Sequence, residues 1–359
     1  MGARTRGLAN NVLSGGKIDA TDGVSGVIDE ANIANASLTS ATTFGSVTGG
    51  IPQVTSDPPS PTLSDAWYNT ATGLLKIRAD IGSWASGGNM NQARRYLAGD
   101  GTQTAAIAFG GYAQSPAGNK ANCETYNGSS WTEVGDLNQS KEGLYGFGTT
   151  SAAVSVGGKA PSVTANVEEW DGSSWTEVTN HPTAHAGGAG SGTLTAGLAF
   201  GQATPGRSAN TFEYDGTNWT AGGSLNTARG YLTGFGTQTA SSAIAGLDAS
   251  PANTTKQEHY NGSSWTETGD MNTARRSLAG SGTQTAGMGF GGYISAASAL
   301  TELFDGTSWN ELADMGTARY RVAGGSASPQ AASVVFGGGP GSYSATEEWT
   351  LSEQNAVVG

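Results

Sequence analysis

Six tryptophans divide most of this chain at nearly equal intervals. Trp84, Trp131, Trp175, Trp219, Trp265 and Trp309 lie 47, 44, 44, 46 and 44 residues apart. Self-similarity at a period of that length marks an array of supersecondary units rather than one irregular core. Five of the tryptophans close one phrase: an aromatic, Asn or Asp, Gly, two small polar residues, then Trp. Its copies begin at Tyr126, Trp170, Tyr214, Tyr260 and Phe304. Asn-Gly or Asp-Gly between apolar residues predicts a hairpin, with a type I′ turn at the Gly pair.

The flanks repeat as well. An apolar run ending in Gly precedes each aromatic, at 106–111, 152–158, 197–201, 242–246, 287–292 and 333–338. A Glu stands one or two residues before the aromatic: Glu124, Glu169, Glu213, Glu258, Glu302 and Glu348. Because that offset shifts, the position reads as a strand edge rather than a fixed ligand. After the Trp comes Asn-x-x-Arg or a variant, ending at Arg94, Lys141, Arg229, Arg275 and Arg319, while the third copy degenerates to a segment ending at His185.

Each unit therefore predicts four short strands. Strand a follows the basic residue, strand b ends in Gly-Gly, a variable loop leads to strand c, and the hairpin leads to the Trp-bearing strand d. Four strands in about 45 residues fit a β-propeller blade. The sixth copy stops after Glu347-Glu348-Trp349 without a strand d, and Trp84 carries a strand d signature without strands a and b before it. The two deficits complement each other. They predict an all-β, six-bladed propeller closed by a strand from the N-terminal side, which leaves no open sheet edge.

Composition agrees and excludes other classes. The chain has 57 Gly in 359 residues, yet not at every third position as collagen needs. A single Cys, Cys123, excludes a disulfide scaffold and a multi-Cys zinc site. A net charge of −12 argues against nucleic-acid binding, and no apolar run is long enough for a membrane span. The basic start, Met1 to Arg6, is followed by no apolar stretch, so a signal peptide is not expected.

Met271-Asn272-Thr273-Ala274-Arg275, followed by Phe290-Gly291-Gly292-Tyr293 and then Trp309, resembles the kelch repeat. The resemblance covers roughly residues 80–350. It departs from the pattern in a shorter aromatic-to-Trp spacing and in Gly201-Gln202 and Gly246-Leu247, where Gly-Gly has decayed. It implies a kelch-like propeller over 63–359. Residues 1–62 lack the repeat and read as an extended N-terminal arm, with Pro52, Pro58, Pro59 and Pro61 stiffening a linker.

The opening Met1-Gly2-Ala3-Arg4-Thr5-Arg6-Gly7-Leu8-Ala9-Asn10-Asn11 resembles the start of tail and fibre proteins of marine cyanobacterial phages. Ala66-Trp67-Tyr68-Asn69-Thr70-Ala71-Thr72-Gly73-Leu74-Leu75-Lys76 is similar to a segment common in phage fibres. These resemblances imply a non-enzymatic structural protein located in the virion. Its partners would be other virion proteins, through residues 1–62, and a host-surface glycan or protein, through the variable b–c loops. A homo-oligomer is expected. The alternative is a cellular kelch-type interaction module that binds an acidic ligand.

Candidate chemistry is sparse. His181, His185 and His259 form no metal-ligand pattern, no cofactor is implied, and Cys123 reads as a buried small hydrophobe. The repeated basic position is the one candidate ligand site. Arg94, Lys141, Arg229, Arg275 and Arg319 occupy equivalent places, with Arg95, Arg276 and Arg321 beside three of them. If strand a lines the channel, these residues would ring one mouth and bind an anion. The competing reading is that each basic residue ties its blade together through carbonyls or the repeated Glu.

Overall fold

The structure, a computed structural model, describes residues 52–58 and 66–358. All regular structure among them is β-strand, and no helix there is long and apolar enough to cross a membrane. The chain divides into two compact units. One is Gly82–Leu351, and the other joins the residues before Gly82 to those after Leu351.

The larger unit is built from antiparallel sheets that keep step with the repeat. Sheet one is Ala98–Thr102, Ala105–Phe109, Cys123–Tyr126 and Trp131–Val134, in that order. Sheets two, three, four and five start with Tyr145–Thr149, Ala189–Thr193, Thr233–Thr237 and Ala279–Thr283 and have the same first four strands. Sheet six contains Ala323–Gly324, Ala332–Phe336 and Thr346–Val358. Its next strand is Leu74–Ser86, which carries Trp84. The tryptophan that lacked strands a and b thus lies beside the copy that lacked strand d.

Glycine lets the sheets pack face to face. A Cβ on Gly234 would sit 2.2 Å from Cζ of Phe200, and one on Gly99 would sit 2.6 Å from Cζ of Phe336. Phe336 belongs to sheet six and Gly99 to sheet one. Between every pair of neighbouring sheets lies an apolar cluster, such as Phe200, Leu232, Ala243, Tyr260 and Trp265. The strand d tryptophans cross the same seams. Trp265 donates its Nε1 proton to Oγ1 of Thr211 in sheet three, Trp131 to Thr346 in sheet six, and Trp84 to Thr301 in sheet five, each at 2.9 Å. Trp131, Trp175, Trp265 and Trp309 are buried, so they are packing residues rather than exposed platforms.

A closed circuit of backbone hydrogen bonds joins all six repeats. The residue two places after each basic position has positive φ: Tyr96, Gly143, Gly187, Tyr231, Ser277 and Arg321. Each donates its N–H to the carbonyl of the previous one, and Tyr96 donates to Arg321, at 2.7–3.1 Å. A left-handed backbone costs a side-chain-bearing residue roughly 1–2 kcal/mol. Four of the six positions accept that strain, because the circuit needs the conformation. The first strands of the six sheets surround a cavity of about 120 Å³, lined by small residues such as Ala98, Gly146, Ala189 and Ala279.

The hairpins differ from the predicted two-residue turns. Tyr126 pairs with Trp131 across a four-residue loop. Only the Gly of each Asn/Asp-Gly pair has positive φ, Gly128 at +89° for example. The preceding side chain organises the loop instead: Asn127 Oδ1 accepts the N–H groups of Ser129 and Ser130 at 2.9 Å. In the second copy those N–H bonds from Ser174 and Ser173 hold the Asp171 carboxyl down at about 2.

In the smaller unit, Ala66–Asn69 and Leu74–Ser86 form a hairpin, and Gln53–Val54 pairs in parallel with Ala66–Asn69. Asp57 organises it. Its carboxylate accepts from Trp67 Nε1 at 3.1 Å, Asn69 Nδ2 at 2.8 Å and Lys76 Nζ at 2.6 Å. Those bonds, Lys76 foremost, bring its pKa down to about 2. The sequence segment Ala66 to Lys76 lies in this hairpin. Most of the expected arm, residues 1–62, lies outside the described residues.

Candidate functional site

The five basic residues predicted to ring a channel mouth are consumed inside the sheets. Arg94, Lys141, Arg229, Arg275 and Arg319 have 0% exposure. Each faces a buried Glu of its own sheet: Arg94 to Glu124 at 2.8 Å, Lys141 to Glu168 at 3.2 Å, Arg229 to Glu258 at 2.9 Å and Arg275 to Glu302 at 2.8 Å, with Arg319 to Glu347 as the fifth pair. Arg275 Nη1 also donates to the carbonyls of Gly291 and Leu300. The Asn of the motif completes the set, as Asn226 N–H and Nδ2 donate to Glu258 Oε2 and Nδ2 also reaches Trp265 O. Burial pulls the pKa values of Arg94, Lys141, Arg229 and Arg275 down, and the facing carboxylates oppose it. A cation so enclosed presents no charge to an external anion.

The Glu register is also fixed, contrary to the expectation of a shifting strand edge. The partner always stands two residues before the aromatic, and in the second and sixth copies that residue is Glu168 or Glu347, not Glu169 or Glu348. The neighbouring position has another role. Glu348, Glu169 and Glu213 accept the hydroxyls of Tyr126, Tyr214 and Tyr260 at 2.5–2.7 Å, each in the adjoining sheet. Counting back from the aromatic at constant offset separates the two positions in the sequence itself.

Sheet three replaces the whole ionic set at once. Its counterpart of the Glu is Phe212, of the Arg is His185, and of the Asn is Pro182. Proline has no N–H to give and phenylalanine no oxygen to receive it, so neither is left unpaired. His181 packs on His185, Phe212 and Trp219, with ring centroids 4.3–5.0 Å apart. His185 Nε2 lies 2.7 Å from the Tyr145 hydroxyl and its Nδ1 lies 2.7 Å from Thr183 O. Burial lowers both histidines, His181 from 6.5 to about 3. Among the described residues, no cluster of His, Cys, Asp and Glu could hold a metal ion. Cys123 is buried, and desolvation pushes its thiol up to about 12.

These histidines predict acid sensitivity. A base whose folded pKa lies below its unfolded value keeps its stability above the unfolded pKa, and loses it as pH falls. Melting temperature should therefore drop as pH falls from about 6.5 toward 4, by up to about 1.4 kcal/mol of stability per pH unit for each histidine. Asp100 opposes this. Burial raises its pKa from 3.8 to about 6, so its unfavourable contribution fades over part of that range. Replacing His181 with Phe should flatten the acid limb in a pH series of thermal melts. An unchanged limb would assign the acid sensitivity elsewhere.

Three predicted site residues remain accessible. Arg95, Arg276 and Arg321 are half-buried beside the hydrogen-bonded circuit. Arg95 lies over the Tyr112 ring and donates to Pro340 O and Gly341 O. Arg276 lies 4.4 Å from the Tyr293 ring centroid and donates to Asn253 Oδ1. Arg321 sits 4.2 Å from the Tyr96 centroid and 4.6 Å from that of Tyr320. The b–c loops flank the same place. The residue after each basic position forms a β-bridge with the start of a b–c loop, for example Arg95 with Tyr112, Glu142 with Lys159 and Arg276 with Tyr293. Around the circuit, Tyr96, Tyr231, Glu142, Lys159 and Thr204 are among the residues that line a recess of about 60 Å³. Sequence reasoning missed the tyrosines, though Tyr96 and Tyr231 fall two residues after an Arg, Tyr320 directly after one, and Tyr112 and Tyr293 directly after the Gly-Gly that ends strand b.

Compared with known proteins, the chain matches no family model and no curated protein.

Proposed function

We propose that this chain is a non-enzymatic structural protein of a phage virion, of tail or fibre type. Its repeats are the blades of a six-bladed, kelch-like propeller closed by the Trp84 strand, spanning 63–359 in the sequence division. Residues 1–62 dock it to the particle, and the b–c loops present a binding face to a host surface or another virion protein. The kelch-like and fibre-like motifs supply the identity of the classes involved.

One observation carries the functional part. The repeated Arg/Lys–Glu pairs are enclosed within their sheets, whereas the starts of the variable b–c loops bridge to residues beside one hydrogen-bonded circuit. A rigid frame with a variable face is built for recognition. The cellular-module alternative drew on a ring of basic residues, and five of those are enclosed with carboxylates. Mass spectrometry of purified particles should detect the chain, and deleting residues 1–62 should abolish its incorporation. Absence of the chain from particles would overturn the reading.

A further inference from the structure

We propose that the recess and arginine at the hydrogen-bonded circuit form a site for an acidic saccharide. Tyr231 gives a flat face to a sugar ring, the tyrosines at the circuit give free hydroxyls, and Arg321 takes its carboxylate or sulfate. The proposal deepens the recognition role above and rests on it.

Three features point to this ligand. First, Arg321 is placed but not paired. It is held in the left-handed region at φ 59° and lies against the rings of Tyr96 and Tyr320, yet its guanidinium has no hydrogen-bond or ion-pair partner among the described residues. The five buried cations of the scaffold all have one. A planar fork of free N–H donors is suited to a two-oxygen anion.

Second, the tyrosines of the seams and those of the circuit differ. Tyr126, Tyr145, Tyr214 and Tyr260 pack in the seams and have bonded hydroxyls. Tyr96, Tyr231 and Tyr320 stand at the circuit, half-buried, with hydroxyls that bond to nothing among the described residues. An aromatic with an apolar face and an unused polar tip serves a ligand that is apolar on one side and hydroxylated on its edge. The floor between Tyr96 and Tyr231 is opened by Gly143 and Gly187. A Cβ on Gly187 would meet Tyr231 Cε1 at 2.9 Å. The recess of about 60 Å³ admits one ring substituent, not a whole residue.

Third, the charges favour a sugar over an acidic peptide. Arg95 and Arg276 already bond to carbonyls and to Asn253, which leaves Arg321 as the free guanidinium of the three. Glu142 and Lys159 also line the recess. Glu142 can accept from hydroxyl groups and repels a run of carboxylates, while Lys159 adds a second cation beside the anionic group. One anion surrounded by hydroxyls meets both conditions.

The test is calorimetric titration of the full chain with tetragalacturonate and with a sulfated galactan tetrasaccharide. A neutral galactan tetrasaccharide and tetraglutamate serve as comparisons. At least one charged saccharide should bind, more weakly as NaCl rises from about 50 to about 500 mM. Arg321→Asn and Tyr231→Asn, which tolerate the left-handed backbone, should each weaken it about tenfold or more while moving the melting temperature by less than about 2 °C. Failure of both charged saccharides, equal binding of the neutral one, preference for tetraglutamate, or variants that bind like the parent would each overturn the proposal. A chain that is found in particles but binds neither saccharide loses this site alone. A chain that binds but is absent from particles loses the virion role alone.

Discussion

Replacing Arg275 with Ala is expected to lower the melting temperature by about 10 °C. The change strands Glu302, 1% exposed, with a carboxylate that faced the guanidinium at 2.8 Å. It also removes the Nη1 bonds to Gly291 O and Leu300 O, at 2.8 and 2.7 Å. Breaking a buried pair by removing one partner costs about 3–5 kcal/mol, mostly through the charge left behind. In a domain of this size each kcal/mol moves the midpoint by roughly 2–4 °C. The second substitution Glu302→Gln should recover part of the loss, because it removes the orphaned charge while keeping an acceptor for Asn272 N–H. A double-mutant cycle by thermal and urea denaturation should show coupling of about 1–3 kcal/mol. A variant Arg275→Ala that melts like the parent would mean that this cation is not structural.

A chain starting at Gly87 is expected to lose cooperative unfolding, whereas one starting at Gly82 keeps it. The two differ by Gly82-Ser83-Trp84-Ala85-Ser86. Trp84 lies 5.1 Å from the Phe290 ring and 5.4 Å from that of Trp349, and it bonds to Thr301. Removing such a side chain costs about 3–5 kcal/mol even before strand pairing is counted. The Thr346–Val358 strand would also lose what remains of its partner strand Leu74–Ser86, leaving more unpaired backbone as a template for aggregation. Successive repeats lie about 45 residues apart, but the two strands joined here, both in sheet six, are 265 residues apart, as Trp84 to Trp349. By the logarithmic cost of loop closure that adds only about 1.5 kcal/mol. The seam is therefore an affordable closure that rests on a few residues. Light scattering and circular dichroism on the two chains would decide, and equal cooperativity would show that the Trp84 strand is dispensable.

Much of the sheet architecture is legible in the sequence because packing between sheets demands the same residue at the same place each time. The Trp interval, the Gly at strand ends and the missing strand d all survive as periodic letters. The site is less legible for a physical reason. Arg94 and Arg95 are adjacent and chemically alike, yet one is enclosed against Glu124 and the other is half-buried. Sequence shows charge but not the direction in which a side chain leaves the backbone. The hairpin turn misleads on similar grounds: the Asn-Gly pair suggests an unusual φ at Asn127, while its side chain is the active part. Tyr96 and Tyr231 do not stand out because two of the six copies have Gly there, so the position does not look like a repeat.

The circuit through Tyr96, Gly143, Gly187, Tyr231, Ser277 and Arg321 limits what the backbone of this face can offer a ligand. Left-handed turns often leave successive N–H dipoles converging on a concavity that collects anions. Here the six dipoles run head to tail, each N–H spent on the next carbonyl. These amides therefore have no free donor to offer. Whatever selectivity this face possesses is thereby handed to side chains, which can change one at a time while the amide circle that carries them stays intact.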